Sequence, residues 1–128
     1  PRPPHCAGRP QKRGVGGRRF DRTGGRVKLT IHRSAEQIGG NCIELVSNNG
    51  ERVILDVGRP LDAPEGATNL LPESLDRTAP ATVLISHPHQ DHYGLLNEIP
   101  NRWTVYCGAA TEKLMRVTAA ITGGDINR

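Results

Sequence analysis

The feature that most constrains the fold is a continuous apolar run at residues 81–86, which read Ala-Thr-Val-Leu-Ile-Ser. A run of this length is typical of a strand buried in the centre of a sheet. The rest of the chain is therefore expected to supply neighbouring strands and a layer that packs against them.

Other short segments also have strand character. Residues 27–31 alternate apolar Val, Leu and Ile with Lys and Thr, a period of two that predicts a half-buried strand. Residues 42–46 and 52–57 are predicted as two further strands. The turn signal Asn-Asn-Gly at residues 48–50 lies between them, because Asn and Gly tolerate positive φ, and predicts a hairpin over residues 41–57. Residues 104–107 are predicted as one more short strand.

Helical character follows the apolar run. Residues 91–99 are predicted as a short helix that ends before a proline, and residues 58–80 as a loop with at most a short helix at 69–75. Residues 109–120 fit a helix, because Leu114, Val117 and Ile121 recur at spacings of three and four. The order of four strands, helix, strand and helix predicts an α/β or α+β layer structure.

The chain divides by charge into a basic tail, residues 1–26, and a mildly acidic body, residues 27–128. The tail holds eight basic side chains against one acid, with four Pro and six Gly, and is predicted to be disordered. The body carries nine basic and twelve acidic side chains. A nucleic-acid-binding arm is one interpretation of the tail. A segment without a specific role is favoured, because Phe20 is the only aromatic residue among the arginines.

Cysteine content and hydropathy limit the cellular setting. Three cysteines in 128 residues are too few and too scattered for a disulfide framework, so we expect a reducing, cytoplasmic compartment. No run of 18 apolar residues exists, which excludes a transmembrane helix.

Cys42 and Cys107 lie in apolar strands and are predicted to be small core residues. His32, on the polar side of the first strand, is predicted to be a solvated surface residue.

Candidate chemistry is concentrated in residues 87–94, which read His-Pro-His-Gln-Asp-His-Tyr-Gly. In extended backbone, which the proline favours, residues two apart point the same way, so His87 and His89 can converge on one ion. Asp91 is predicted to open a helix, and the turn into it redirects Asp91 and His92, which makes a second ion nearby feasible. Imidazole and carboxylate suit Zn²⁺, with iron and manganese as alternatives. The other interpretation is a solvated histidine-rich loop.

This motif resembles the His-x-His-x-Asp-His signature of the metallo-β-lactamase-fold hydrolases, including the small residue at Gly94. Residues 54–58, Ile-Leu-Asp-Val-Gly, resemble the Asp-x-Gly that ends a strand in this family. The resemblance implies an αββα fold, in which Asp56 supports the ligand loop without binding metal. It implies hydrolysis, because residue 89 is His and not the Glu that marks redox di-iron relatives.

The resemblance also implies roles for the four motif residues. His87 and His89 would bind one zinc ion, and Asp91 and His92 a second one. Asp91 would in addition act in catalysis, by orienting a water activated by the two ions.

Two further stretches resemble a branch of this family, the β-CASP nucleases, which include ribonuclease J. Residues 36–45 read Glu-Gln-Ile-Gly-Gly-Asn-Cys-Ile-Glu-Leu, and residues 103–111 read Trp-Thr-Val-Tyr-Cys-Gly-Ala-Ala-Thr. This resemblance implies hydrolysis of phosphodiester bonds in RNA or DNA. The alternatives are another hydrolase of the same fold, with a thioester, lactone or β-lactam substrate, and a non-catalytic member that lacks ligands.

The family completes its site with further ligands C-terminal to this motif. No histidine follows His92, and Asp125 is the only later aspartate. We therefore expect this chain to be the N-terminal part of a longer protein. With two ligands for each ion, we expect it to be inactive by itself.

Overall fold

The computed structural model describes residues 25–122 and residue 126. Residues 1–24, which make up nearly all of the predicted tail, lie outside this range. The elements, in chain order, are β1 Val27–Arg33, β2 Cys42–Ser47, β3 Arg52–Leu55, β4 Thr82–Ile85, α1 Gln90–Tyr93, a 3₁₀ turn Leu96–Glu98, β5 Thr104–Cys107 and α2 Ala109–Thr122. This order is the predicted one.

The five strands form one mixed sheet in the order β1-β2-β3-β4-β5. The β1–β2 and β2–β3 pairs are antiparallel, and the β3–β4 and β4–β5 pairs are parallel. The predicted β2–β3 hairpin is confirmed, with a turn in which Gly50 has φ +81° and donates its N–H to the carbonyl of Ser47 at 3.0 Å. A mixed sheet with helices is an α/β arrangement. The second sheet of an αββα fold is not among the described residues, and it stays a prediction.

Several predicted boundaries differ from the observed ones. Strand β3 ends at Leu55 and not at residue 57, because Asp56 leaves the extended region with φ +60°. The predicted helix over residues 91–99 is two short pieces, α1 and the 3₁₀ turn. Asp91 therefore does not open α1: the N-cap is His89, which makes no side-chain capping bond.

The core lies on one face of the sheet, here called the inner face. Ile54 and Val83 lie side by side on β3 and β4 and are 0% exposed. Burying two side chains of this size stabilises the fold by roughly 1.5–3 kcal/mol each. They are covered by apolar side chains from the long loop and the second half of the chain, namely Leu71, Leu75, Leu95, Leu96, Ile99, Trp103 and Met115.

The opposite, outer face is apolar but open to solvent. On β1, Val27, Leu29 and Ile31 point to this face and are 50–60% exposed. Leu84 of β4 also lies on it and is 39% exposed. The strand predicted from the apolar run at residues 81–86 does lie inside the sheet, between β3 and β5, but it is buried on its inner side only.

The polar side of β1 faces inward, where the structure overturns the prediction for His32. Its side chain is 2% exposed, with Nδ1 at 2.7 Å from the hydroxyl of Ser74 and Nε2 at 3.3 Å from the carboxylate of Glu44. Glu44 is itself buried and accepts a hydrogen bond from Nε of Arg52 at 2.7 Å. Buried polar groups require partners, and Glu44 is a partner of both His32 and Arg52. The inner face is thus polar at the β1 edge.

Helix α2 also presents a different face from the one its spacing suggests. Leu114, Val117 and Ile121 are exposed, Ile121 by 80%, and the helix buries Met115 instead. Spacing identifies a common face but not what packs against it. In the part of the chain that the structure describes, no helix is both long enough and apolar enough to cross a membrane.

Candidate metal site

The site is built where β3 and β4 end side by side. The backbone N–H of Asp56 donates to the carbonyl of Leu84 at 3.0 Å, after which the positive φ of Asp56 turns the chain. This conformation is uncommon for a residue other than glycine. It places the buried carboxylate of Asp56 against Ser86, whose N–H donates to Oδ1 and whose hydroxyl donates to Oδ2, both at 2.8 Å.

The segment that carries the histidine motif is held by backbone hydrogen bonds to two other parts of the chain. Carbonyl groups of this segment accept hydrogen bonds from the residues that follow Asp56 and from Asn41, which precedes β2. The residue after the motif, Leu95, donates a hydrogen bond in return. These bonds are Val57 N–H to His92 O, 2.8 Å; Arg59 N–H to Gln90 O, 2.9 Å; Asn41 N–H to Asp91 O, 3.0 Å; and Leu95 N–H to Val57 O, 2.9 Å.

Gly58 allows this close approach of the two backbones. A Cβ atom built on Gly58 would lie 1.7 Å from the carbonyl oxygen of Asp91. The Asp-x-Gly pattern therefore has two separate structural uses. Asp56 supplies the carboxylate, and Gly58 leaves room for the backbone of α1.

The three histidines of the motif lie together. The ring centroids of His87 and His92 are 3.7 Å apart, and those of His87 and His89 are 4.7 Å apart in an edge-on arrangement. An oxygen of the Asp91 carboxylate lies 3.4 Å from Nε2 of His92. The structure thus brings the four predicted ligands into one cluster.

His92 has defined partners on both ring nitrogens. Its Nδ1 lies 2.7 Å from Oδ2 of Asp56, and the side-chain amide nitrogen of Asn41 lies 3.0 Å from its Nε2 and 3.2 Å from its Nδ1. Asn41 belongs to the stretch at residues 36–45 that resembles the β-CASP nucleases, but the sequence did not identify it as part of the site. The only local signal is its position between Gly40, which has φ +70°, and the first residue of β2.

These side chains fit a divalent cation by their chemistry. Imidazole and carboxylate are among the donors that zinc binds in proteins, and Nε2 of His92 lies 3.4 Å from a carboxylate oxygen of Asp91. Within residues 25–122 and 126, however, no three His, Cys, Asp or Glu side chains are arranged to hold one ion. The roles of His87, His89, Asp91 and His92 as ligands, and of Asp56 behind them, stay predictions.

Neither of the two described cysteines is placed as a metal ligand. Cys42 is buried beside the site, and burial raises the pKa of its thiol to about 12, so the thiolate that metals bind is not formed near neutral pH. Cys107 is half-buried and packs against the core. The expectation that Cys42 is a core residue is confirmed.

Comparison with known proteins supports the interpretation of this site. A search of curated proteins found no match. The family model of the metallo-beta-lactamase superfamily matches residues 36–119, about two-thirds of the chain. The matched region spans Asp56, Gly58 and the whole histidine motif. The chain belongs to the metallo-beta-lactamase superfamily.

Proposed function

We propose that the complete gene product that contains this chain is a zinc-dependent hydrolase of phosphodiester bonds in RNA or DNA. Membership of the superfamily indicates a metal-dependent hydrolase, since its members are typically hydrolytic enzymes. The choice of a nucleic-acid substrate rests on the resemblance of residues 36–45 and 103–111 to the β-CASP nucleases.

One observation carries this choice. The stretch at residues 36–45 runs directly into the site, where Asn41 contacts His92 through its side chain and Asp91 through its backbone. The carbonyl of Asn41 also accepts the N–H of Gly58 at 2.9 Å. The segment that resembles the nuclease branch therefore contacts the candidate metal site through Asn41, which supports a role for this segment in substrate choice.

The motif residues would have two roles, as zinc ligands and as a hydrogen-bond acceptor for the attacking water. His87 and His89 would hold one zinc ion, and Asp91 and His92 the other. Bound zinc lowers the pKa of a water molecule toward neutrality and offsets negative charge on a phosphate. The carboxylate of Asp91 lies at the edge of the cluster, partly accessible to solvent, where it can accept a hydrogen bond from that water.

The number of ligands limits what the 128-residue chain does by itself. Four candidate ligands shared between two ions leave each ion with two protein donors, fewer than zinc sites in enzymes use. We therefore expect weak zinc binding and no turnover from the chain alone.

The test is substrate selectivity of the complete, zinc-loaded gene product. We expect cleavage of single-stranded RNA or DNA, little activity on thioesters, lactones and β-lactams, and loss of cleavage in His89→Ala. Asp62→Asn, which changes an exposed loop aspartate, is the control and should retain full activity. Hydrolysis of a thioester, lactone or β-lactam without cleavage of nucleic acid would assign a different substrate. Stoichiometric zinc with no hydrolysis of any substrate would identify a non-catalytic member.

A further inference from the structure

The hydroxyl of Ser86 lies between the carboxylate of Asp56 and the ring of His87. Its oxygen is 2.8 Å from Oδ2 of Asp56 and 3.0 Å from Nδ1 of His87. It also lies 3.2 Å from Nδ1 of His92. Ser86 follows β4 directly, so the sheet fixes its backbone, and the bond from its N–H to Asp56 fixes it further.

The hydrogen atoms available to this group determine the direction of each bond. A carboxylate only accepts, so the single hydroxyl hydrogen of Ser86 is donated to Asp56. The oxygen of Ser86 can then only accept from His87, which requires a hydrogen on Nδ1 of that ring. A neutral imidazole carries one such hydrogen, so Nε2 of His87 is left with its lone pair.

The same carboxylate contacts His92 directly, with no hydroxyl between them. Oδ2 of Asp56 accepts from Nδ1 of His92 at 2.7 Å, which leaves the lone pair of His92 on Nε2. The side-chain amide nitrogen of Asn41 lies 3.0 Å from that Nε2 and 3.2 Å from Nδ1, so this contact does not distinguish the two ring nitrogens. The tautomer of His92 therefore follows from its contact with Asp56.

We infer that Ser86 is a positioning residue that extends the effect of Asp56 to His87, so that one buried carboxylate sets the tautomers of two candidate ligands. Both rings then present Nε2 to a cation, as binding through a neutral imidazole requires. This inference rests on the metal site of the proposed function. It concerns a hydroxyl that is not itself a candidate ligand.

The chain offers a matched control in Ser74. Its hydroxyl also lies 2.7 Å from Nδ1 of a histidine, His32, but this pair is on the far side of β2 from the metal site and faces Glu44. Removing the Ser74 hydroxyl therefore deletes a serine–histidine hydrogen bond of similar length without touching Asp56, His87 or His92.

The first measurement is the ¹⁵N spectrum of the histidine rings in the metal-free 128-residue chain, at about pH 8, where an unperturbed imidazole is neutral. We expect His87 and His92 to carry their hydrogen on Nδ1. In Ser86→Ala, His87 should lose this preference while His92 keeps it through Asp56, and Ser86→Thr should restore it. A hydrogen on Nε2 of His87 in the unmodified chain overturns the inference, whatever the variants do.

The second measurement is zinc affinity by competition with a chelator. Ser86→Ala should weaken binding by about 10-fold, the lower end of what removing an outer partner of a metal-bound histidine costs. Ser86→Thr and Ser74→Ala should bind as the unmodified chain does. Equal affinity in Ser86→Ala overturns the inference. The ring spectrum needs no metal, so it tests the positioning role of Ser86 by itself. Absent zinc binding or absent nuclease activity would count against the proposed function instead.

Discussion

The carbonyl oxygen of Asp91 occupies the space that a Cβ atom on Gly58 would need, at a distance of 1.7 Å. The atom in the way belongs to backbone, which cannot swing aside as a flexible side chain does. The contact therefore ties the identity of one residue after β3 to the position of the candidate ligands.

Gly58→Ala is expected to destabilise the fold by about 3 kcal/mol or more, at or above the upper end of typical overpacking costs, because the α1 backbone must move. Urea denaturation measures this loss. Gly108→Ala is the control, since its nearest contact for a new Cβ would be the Thr111 hydroxyl at 3.6 Å, an ordinary distance. Equal stabilities of the two variants would show that the segment after β3 is not tightly packed.

Asp56→Asn is expected to lower zinc affinity by about 10- to 100-fold while the sheet remains folded. An amide has one acceptor oxygen, so it can keep the Ser86 N–H but cannot also accept from the Ser86 hydroxyl and the His92 ring. Zinc titration with circular dichroism as the check on folding tests this. Unchanged affinity would make Asp56 an ordinary residue at a strand end.

Asn41→Ala is expected to change zinc affinity in the opposite direction. The amide nitrogen of Asn41 lies 3.0 Å from Nε2 of His92 and 3.2 Å from Nδ1, so it occupies space beside the nitrogen that would bind an ion. Removing a hydrogen bond worth about 0.5–1.5 kcal/mol should tighten zinc binding about 2- to 10-fold. Isothermal titration calorimetry of this variant beside Asp56→Asn compares an expected increase in zinc affinity with an expected decrease. Weaker binding by Asn41→Ala would show that the amide supports the ring and does not compete for it.

Glu44→Ala is expected to cost about 3 kcal/mol of stability, because it leaves the buried guanidinium of Arg52 without its carboxylate partner. The exposed pair of Glu112 and Arg116 on α2 provides the comparison. Glu112→Ala should cost less than about 1 kcal/mol, as exposed ion pairs do. Thermal or urea unfolding of both variants is the measurement. Similar small losses of stability would contradict a buried ion pair between Glu44 and Arg52.

Cys42 is expected to make stability fall as the pH rises from about 9 toward 12. Burial raises its pKa from 9.0 to about 12, so in this window the unfolded chain loses the thiol proton while the folded chain keeps it. The unfolded state binds fewer protons, and the free energy of unfolding falls by up to about 1.4 kcal/mol per pH unit. Cys42→Ala should have a correspondingly shallower decline in urea unfolding across this window. Parallel declines would show that the thiol ionises alike in both states.

The local sequence was sufficient to predict the order of the elements. Alternation marks β1, the Asn-Asn-Gly signal at residues 48–50 closes the hairpin, and a spacing of three and four marks α2. These signals act over a few residues and depend on backbone preferences. The clustering of His87, His89 and His92 could be predicted for the same reason, because all three lie on one short segment.

The tertiary structure decided which face of each element is buried and which distant groups complete the site. The apolar side of β1 is exposed while His32 on its polar side is buried, and α2 buries Met115 rather than the stripe that predicted it. Periodicity reveals that an element has two faces, but only packing determines which face loses contact with water. Likewise, Asn41 and Asp56 reach His92 across 51 and 36 residues of sequence, through contacts that exist only once the strands are paired.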